Sequence, residues 1–144
     1  MTQGISSFGT LMKIGDGGTP TETFTTIAEV LDINGLGIRL DTEDATSHDS
    51  TDGWEEVIPT ILRTDPITFT IQFIPTHATH SYSSGLIKDQ TSRTLRNFQL
   101  VFPDAAATTW AAACYVVRVG PSAPVAGKLT ADVELKPSGK PSLA

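Results

Sequence analysis

The segment Asp44–Pro59, DATSHDSTDGWEEVIP, gathers one histidine, two serines and five carboxylates into sixteen residues. These are the residue types of a hydrolytic triad or of a calcium loop, so their spacing decides between chemistries. Ser47, His48 and Asp49 are consecutive, and neighbours in an extended chain project to opposite sides. They cannot converge as nucleophile, base and orienter. Calcium suits the residue types better, because Asp44, Asp49, Asp52, Glu55 and Glu56 are hard oxygen ligands in a flexible segment. The alternate-residue ligand ladder of an EF-hand is missing, however, and no bidentate glutamate follows Gly53 at the required distance. What remains is a turn-rich loop whose Ser, Thr and Asp side chains bond nearby backbone N–H groups. Trp54, Val57 and Ile58 stand in it as apolar residues amid charge.

Other motifs are weaker. His77 and His80 in HATH offer half a zinc site without a cysteine or third histidine nearby, and capping of a following helix explains them better. Gly15–Gly18, GDGG, is followed by no Gly-Lys-Ser/Thr, and Gly35–Gly37, GLG, lacks the third glycine and the helix of a dinucleotide fingerprint. No catalytic residue, metal or cofactor is expected.

The elements that must position these residues are strands. A chain of 144 residues suffices for one domain with one core. Its net charge of −6 argues against a surface built to grip nucleic acid or anionic lipid. The lone Cys114 lies in an apolar run as a small hydrophobe, which excludes an internal disulfide. Neither a secretory signal nor an apolar run long enough to span a bilayer is seen, so a soluble protein made in a reducing cytoplasm is expected.

Period-two alternation puts Ile67, Phe69, Ile71 and Phe73 on one strand face and Thr68, Thr70 and Gln72 on the other. Leu129, Ala131, Val133 and Leu135 likewise oppose Thr130, Asp132, Glu134 and Lys136. RNFQLVFPD supplies Phe98, Leu100 and Phe102, with TWAAACYVVRV as its antiparallel partner and Pro121 and Pro124 breaking the ladder. IAEVLDINGLGIRLDTE is expected to be a hairpin turning at Asn34-Gly35, with Leu36, Ile38 and Leu40 inward and Arg39, Asp41 and Glu43 outside. Tyr82, Leu86 and Ile87 are spaced as on one face of a short helix. Residues 1–26 read as a partly flexible arm, and residues 27–144 as the domain, with a long loop over about 44–62.

Four stretches, IAEVLDINGLGI, DATSHDSTDGWEEVIPT, LRNFQLVFPDA with TTWAAACYVVRV, and PSAPVAGKLTADVELKPSGKPSL, resemble in that order the major tail tube proteins of long, non-contractile-tailed bacteriophages. The resemblance runs from about Ile27 to the C-terminus. It implies a mainly β fold, a two-sheet antiparallel β-sandwich flanked by one short α-helix, with subunits closing into hexameric rings. The rings would stack into a virion tail tube, assembled in the host cytoplasm, through which DNA leaves the head without specific binding. Implied partners are the protein itself and the tail terminator, tape measure and distal tail proteins, with no membrane. Type VI secretion tube proteins share the resemblance.

Under that reading Trp54, Val57, Ile58 and His48 become subunit-interface candidates. Asp41, Glu43, Thr68, Thr70, Gln72, Asp132 and Glu134 become lumen-facing candidates, since an acidic wall repels phosphates and lacks a Lys/Arg stripe to hold them. The rival class is a monomeric β-sandwich binding module with a calcium-holding acidic loop, and a secretion-system tube protein is a second alternative.

Overall fold

Ten strands and one helix follow from this sequence in a computed structural model that describes residues 2–143. In chain order they are β1 (Leu11–Gly15), β2 (Phe24–Thr26), β3 (Val30–Asn34), β4 (Ile38–Asp44), β5 (Val57–Thr64), β6 (Ile67–Gln72), α1 (Leu86–Thr91), β7 (Arg96–Val101), β8 (Thr109–Ser122), β9 (Thr130–Pro137) and β10 (Ser142–Leu143). All strand pairs are antiparallel. The fold is mainly β with antiparallel sheets and one short helix, as the sequence led one to expect.

The main sheet runs β2-β1-β7-β8-β9-β6-β3, and β8 is its hinge. Residues Thr109–Cys114 of β8 pair with β7, whereas Cys114–Ser122 pair with β9 on the opposite edge. A bulge between Val116 and Arg118 re-aims the strand just past the changeover. Two wings, β2-β1-β7 with the first half of β8 and β8-β9-β6-β3 with its second half, therefore share one long strand. A strand that passes between sheets through a bulge is how sandwich corners are made. One core lies between the wings: Met12, Phe98, Leu100 and Ala112 from the first, Ile67, Phe69, Ile71, Val133 and Leu135 from the second. Each of these side chains apart from Ala112, once buried, contributes about 1.5–3 kcal/mol. Cys114 sits at the junction, and burial pushes its thiol up to about 12.

The alternation in β6 and β9 holds, with Thr68, Thr70 and Gln72 on the outer face, although Leu129 lies ahead of β9 and is exposed. Four further expectations within residues 27–144 fail for physical reasons. The first is the hairpin over residues 27–43: β3 pairs with β6 and β4 with β5, so Asn34-Gly35 joins two sheets. Of Leu36, Ile38 and Leu40 only Leu36 enters the core. Second, the loop expected over 44–62 ends at Glu56, because VIPTILRT forms β5; an extra residue bulged opposite Asp41, together with Pro59, hides its period. Third, Pro121 does not end β8 but pairs with Ala131, which is tolerated because β8 has no second partner there to need its N–H. Fourth, Tyr82 precedes α1 and is 70% exposed, leaving Leu86 as the helix's buried anchor.

Residues 11–26, expected within the arm, supply β1 and β2. Met12 enters the core as β1 pairs with β7.

Candidate functional site

β4 and β5 form a two-stranded sheet of their own and make their extensive contacts only with each other. A lone hairpin is marginal in water. This one carries Ile38, Leu40, Val57, Ile58, Ile61 and Leu62, all about half-exposed or more, with Leu62 at 72%. Register puts Leu40 opposite Leu62, Arg39 opposite Arg63 and Glu43 opposite Ile58. One face is thus chiefly apolar. The other mixes Ile58 with charge, Arg63 pairing with Asp41 and Arg39 lying 3.6 Å from Asp65.

Residues 45–56 close the tip through their own polar groups. Thr46 N–H donates to Asp44 Oδ1 at 2.8 Å, and Glu56 N–H donates to Thr46 Oγ1 at 2.8 Å. The Thr46 hydroxyl and N–H hold the Asp44 carboxyl below its usual range. Ser47 N–H donates to Ser50 Oγ at 3.0 Å, and Ser50 Oγ–H donates to Glu56 Oε2 at 2.6 Å. The turn Thr51–Gly53 takes left-handed geometry at Asp52 (φ 55°) and Gly53 (φ 75°), which glycine adopts without strain. Ser47, Ser50, Thr46 and the carboxylates of Asp44 and Glu56 are thereby engaged as loop structure. His48 is exposed, and Trp54 stands out at 73% exposure. Among the described residues no three His, Cys, Asp or Glu are grouped to hold a metal ion.

The interface candidates therefore share one projecting unit, His48 and Trp54 on the tip and Val57 and Ile58 on β5. The sequence reading missed Ile38, Leu40, Ile61 and Leu62. Ile38 and Leu40 in alternation, and the apolar-rich VIPTILRT across a polar turn, were the available signal.

The lumen-facing candidates split. Thr68 faces Glu134, and Thr70 faces Asp132, so these four and Gln72 cover one outer patch of β6 and β9. Thr70 Oγ1–H donates to Asp132 Oδ1 at 3.2 Å, and Arg118 lies 3.7 Å from the same carboxylate. Asp41 and Glu43 lie apart, on the hairpin.

His77 and His80 act inside the fold. His80 is fully buried; its Nδ1 accepts the Ile74 N–H at 3.1 Å and its Nε2–H donates to the Ala28 carbonyl at 2.8 Å. His77 Nδ1 instead accepts from Thr79 N–H at 3.1 Å. Burial, opposed by the Ala28 bond, moves His80 below its ordinary 6.5. The unfolded chain then binds the proton more readily, so stability present above about 6.5 is lost as pH falls below it. Denaturation of the free subunit is expected to show this acid slope, and His80→Gln to flatten it; an unchanged slope would assign it to other groups.

A β-sandwich that leaves an apolar hairpin unpartnered defines a subunit made to assemble. The chain belongs to the lambda phage tail tube protein family, whose model matches residues 15–144. It is a structural tail tube protein. Among curated proteins none matched. Solved structures share the fold: a chain in the tail of an empty gene transfer agent particle with C6 symmetry (TM-score 0.75, 18% identity, 93% of this chain and 94% of that one). A chain of the native gene transfer agent virion gives 0.77 at 16% identity over 98% and 99%. A chain of an extracellular contractile injection system, from a sheath/tube terminator structure in the extended state, gives 0.73 at 13% over 100% and 99%.

Proposed function

We propose that six copies close into a ring through the β8-β9-β6-β3 wing, and that the rings stack through the β4–β5 hairpin into a non-catalytic conduit for genome ejection. The observation that carries the reading is the wing itself, whose β3 edge is open and whose β8 edge meets only α1 beyond Cys114, where Gln90 Nε2–H donates to the Val117 carbonyl at 3.2 Å. Among the described residues no strand pairs with the outer side of β3 or with β8 beyond Cys114 on the side away from β9. Open edges of this kind invite further pairing. The wing has four strands alternating in direction, so β3 runs opposite to β8. A junction between β3 of one copy and β8 of the next is therefore antiparallel, and closure leaves the inner barrel without an open edge. Six wings make a barrel of about 24 strands, wider than the barrels of about 16–18 that already leave an aqueous channel.

The outer patch of Thr68, Thr70, Gln72, Asp132 and Glu134 would line the lumen, with Asp41 and Glu43 at its margins. Arg118 beside Asp132 and Lys136 on the same face of β9 balance its two carboxylates, so the patch carries no excess of basic side chains to retain phosphates by counterion release. His48, Trp54, Val57 and Ile58 would meet a neighbouring ring, with tail terminator, tape measure and distal tail proteins at the ends. Assembly in the host cytoplasm accords with the reading.

Electron microscopy of the concentrated, purified protein is expected to show rings and tubes. Monomers alone, with a melting temperature that rises in calcium, would replace this reading by a calcium-binding module.

A further inference from the structure

Main-chain directions show which groups β3 and the far end of β8 leave free. Gln72 N–H donates to the Glu29 carbonyl at 2.9 Å and Phe73 N–H to the Leu129 carbonyl at 3.0 Å. Along β6, therefore, the groups of Gln72, Thr70 and Thr68 turn to β3 and those of Ile71 and Phe69 to β9. Val30 and Ile33 stand opposite Ile71 and Phe69, so their own N–H and C=O point outward. By the same alternation Ala131 and Val133 bond β6, and Val119 and Pro121, opposite them on β8, also point outward. The preceding outward acceptor, the Val117 carbonyl, is taken by Gln90, and β8 ends at Ser122. What remains free, Arg118–Ser122, is as long as β3. Beside β3 there is also room: Val30–Asn34 line an open mouth of about 960 Å³ that faces the Phe102–Trp110 pair. Its one charged lining residue, Asp32, is exposed and has no ion-pair partner among the described residues.

We propose that Arg118–Ser122 of a second copy seats against β3 in a single register, Ile33 opposite Val119, and that Arg118 of that copy binds Asp32; this rests on the ring junction proposed above. A slip of one residue would turn the apolar side chains of one strand to the wrong face. A slip of two in one direction sets Ile33 against Pro121, which has no N–H, and carries Val30 past the end of β8. In the other direction it sets Ile33 against Val117, whose carbonyl Gln90 holds. With Ile33 at Val119 that pair exchanges two bonds, and the bulge between Val30 and Ile33 brings Val30 N–H to the Pro121 carbonyl. Val30, Ile33 and Val119, each partly buried against its own core, then form one apolar seam. Asp32 comes to lie across from Gly120. The Arg118 guanidinium already extends over Gly120, 2.7 Å from where a Cβ would stand, and lies 3.7 Å from Asp132. A guanidinium has donors enough for two carboxylates, so Asp32 becomes its second partner. The pair is one of opposite charge, which suppresses the slipped registers as well as favouring the right one.

In this register Asn34 and Arg118 of neighbouring copies face each other directly. Within one chain they stand on strands three spacings apart, about 14 Å, beyond disulfide reach. Chains carrying Asn34→Cys and Arg118→Cys are each doped as a minority into wild-type protein, assembled reduced and then oxidised. A disulfide-linked dimer is expected, absent when Gly120→Cys, which reports a slip of two, replaces Arg118→Cys. The buried native thiol, pushed up to about 12, stays silent. Separately, Asp32→Arg and Arg118→Asp are each expected to lower the yield of rings about tenfold with the melt unchanged, and the two together in one chain to restore it. Assemblies that link 34 to 120, or to neither position, overturn the register. A double swap that fails to rescue its folded single variants overturns the Arg118–Asp32 contact. Absence of rings from the wild-type protein would instead remove the ring reading on which both rest.

Discussion

Trp54→Ala is expected to abolish tubes while leaving the subunit folded. The side chain is 73% exposed in the free chain, so its loss removes little folded-state packing. Surface changes of that kind move stability by about 0.5 kcal/mol or less, about 1–2 °C in melting temperature for a domain of this size. Under the proposed stacking the same ring is a central anchor, and truncating such an anchor costs about 2–4 kcal/mol per contact. In that proposal every subunit of a ring contributes the contact at once, so the losses compound along the stack. Ring formation should survive, because the β3 and β8 edges are untouched. Sedimentation and electron microscopy beside a thermal melt read both quantities. Loss of tubes with an unchanged melt supports an anchor; loss of both would make Trp54 a folding residue.

What the sequence shows of this architecture depends on where the period survives. β6 and β9 are central, straight and covered on one face, so alternation maps directly onto burial, from Ile67 to Ile71 and from Ala131 to Leu135. β7 and the first half of β8 were equally legible. β5 was not, since Pro59 and a bulge opposite Asp41 break its alternation and neither of its faces joins the core. Leu40 looked inward because local pattern cannot tell an exposed apolar face from one that enters its own core. β1 escaped notice because LMKIG is too short to display a period, although Met12 is among the most buried side chains. Of the candidate site, Trp54, Val57 and Ile58 were recognisable as apolar residues set among charges. The hairpin that carries them was not, because it is defined by a pairing 13 residues or more apart in sequence.

Gly85→Ala is the second change with a large expected effect, and it acts on folding alone. Gly85 caps α1 with extended geometry, so the left-handed region is not the issue. Space is. A Cβ there would lie 2.5 Å from His80 N and 2.6 Å from Ser81 N, against the Thr79 carbonyl carbon as well. All three are backbone atoms, and no side chain can rotate aside. The turn they belong to is tied down on every side: Ser81 N–H and His80 N–H both donate to the His77 carbonyl, and Leu86 N–H donates to the Thr79 carbonyl at 3.1 Å. Relief therefore requires either the turn to leave Ala28, breaking the buried His80 bond, or Leu86 to withdraw from the core. Overpacking of this sort costs about 3 kcal/mol, at the upper end of its range, which corresponds to a fall of about 10 °C in melting temperature. Because the first route exposes His80 to water, the acid slope of stability should shrink in the same variant. The two readouts separate the routes: a lower melt with the slope intact means that α1 yields, whereas a lower melt with a flattened slope means that the histidine turn does. An unaltered melt would mean that the turn shifts freely, and the close approach at Gly85 would then have no structural weight.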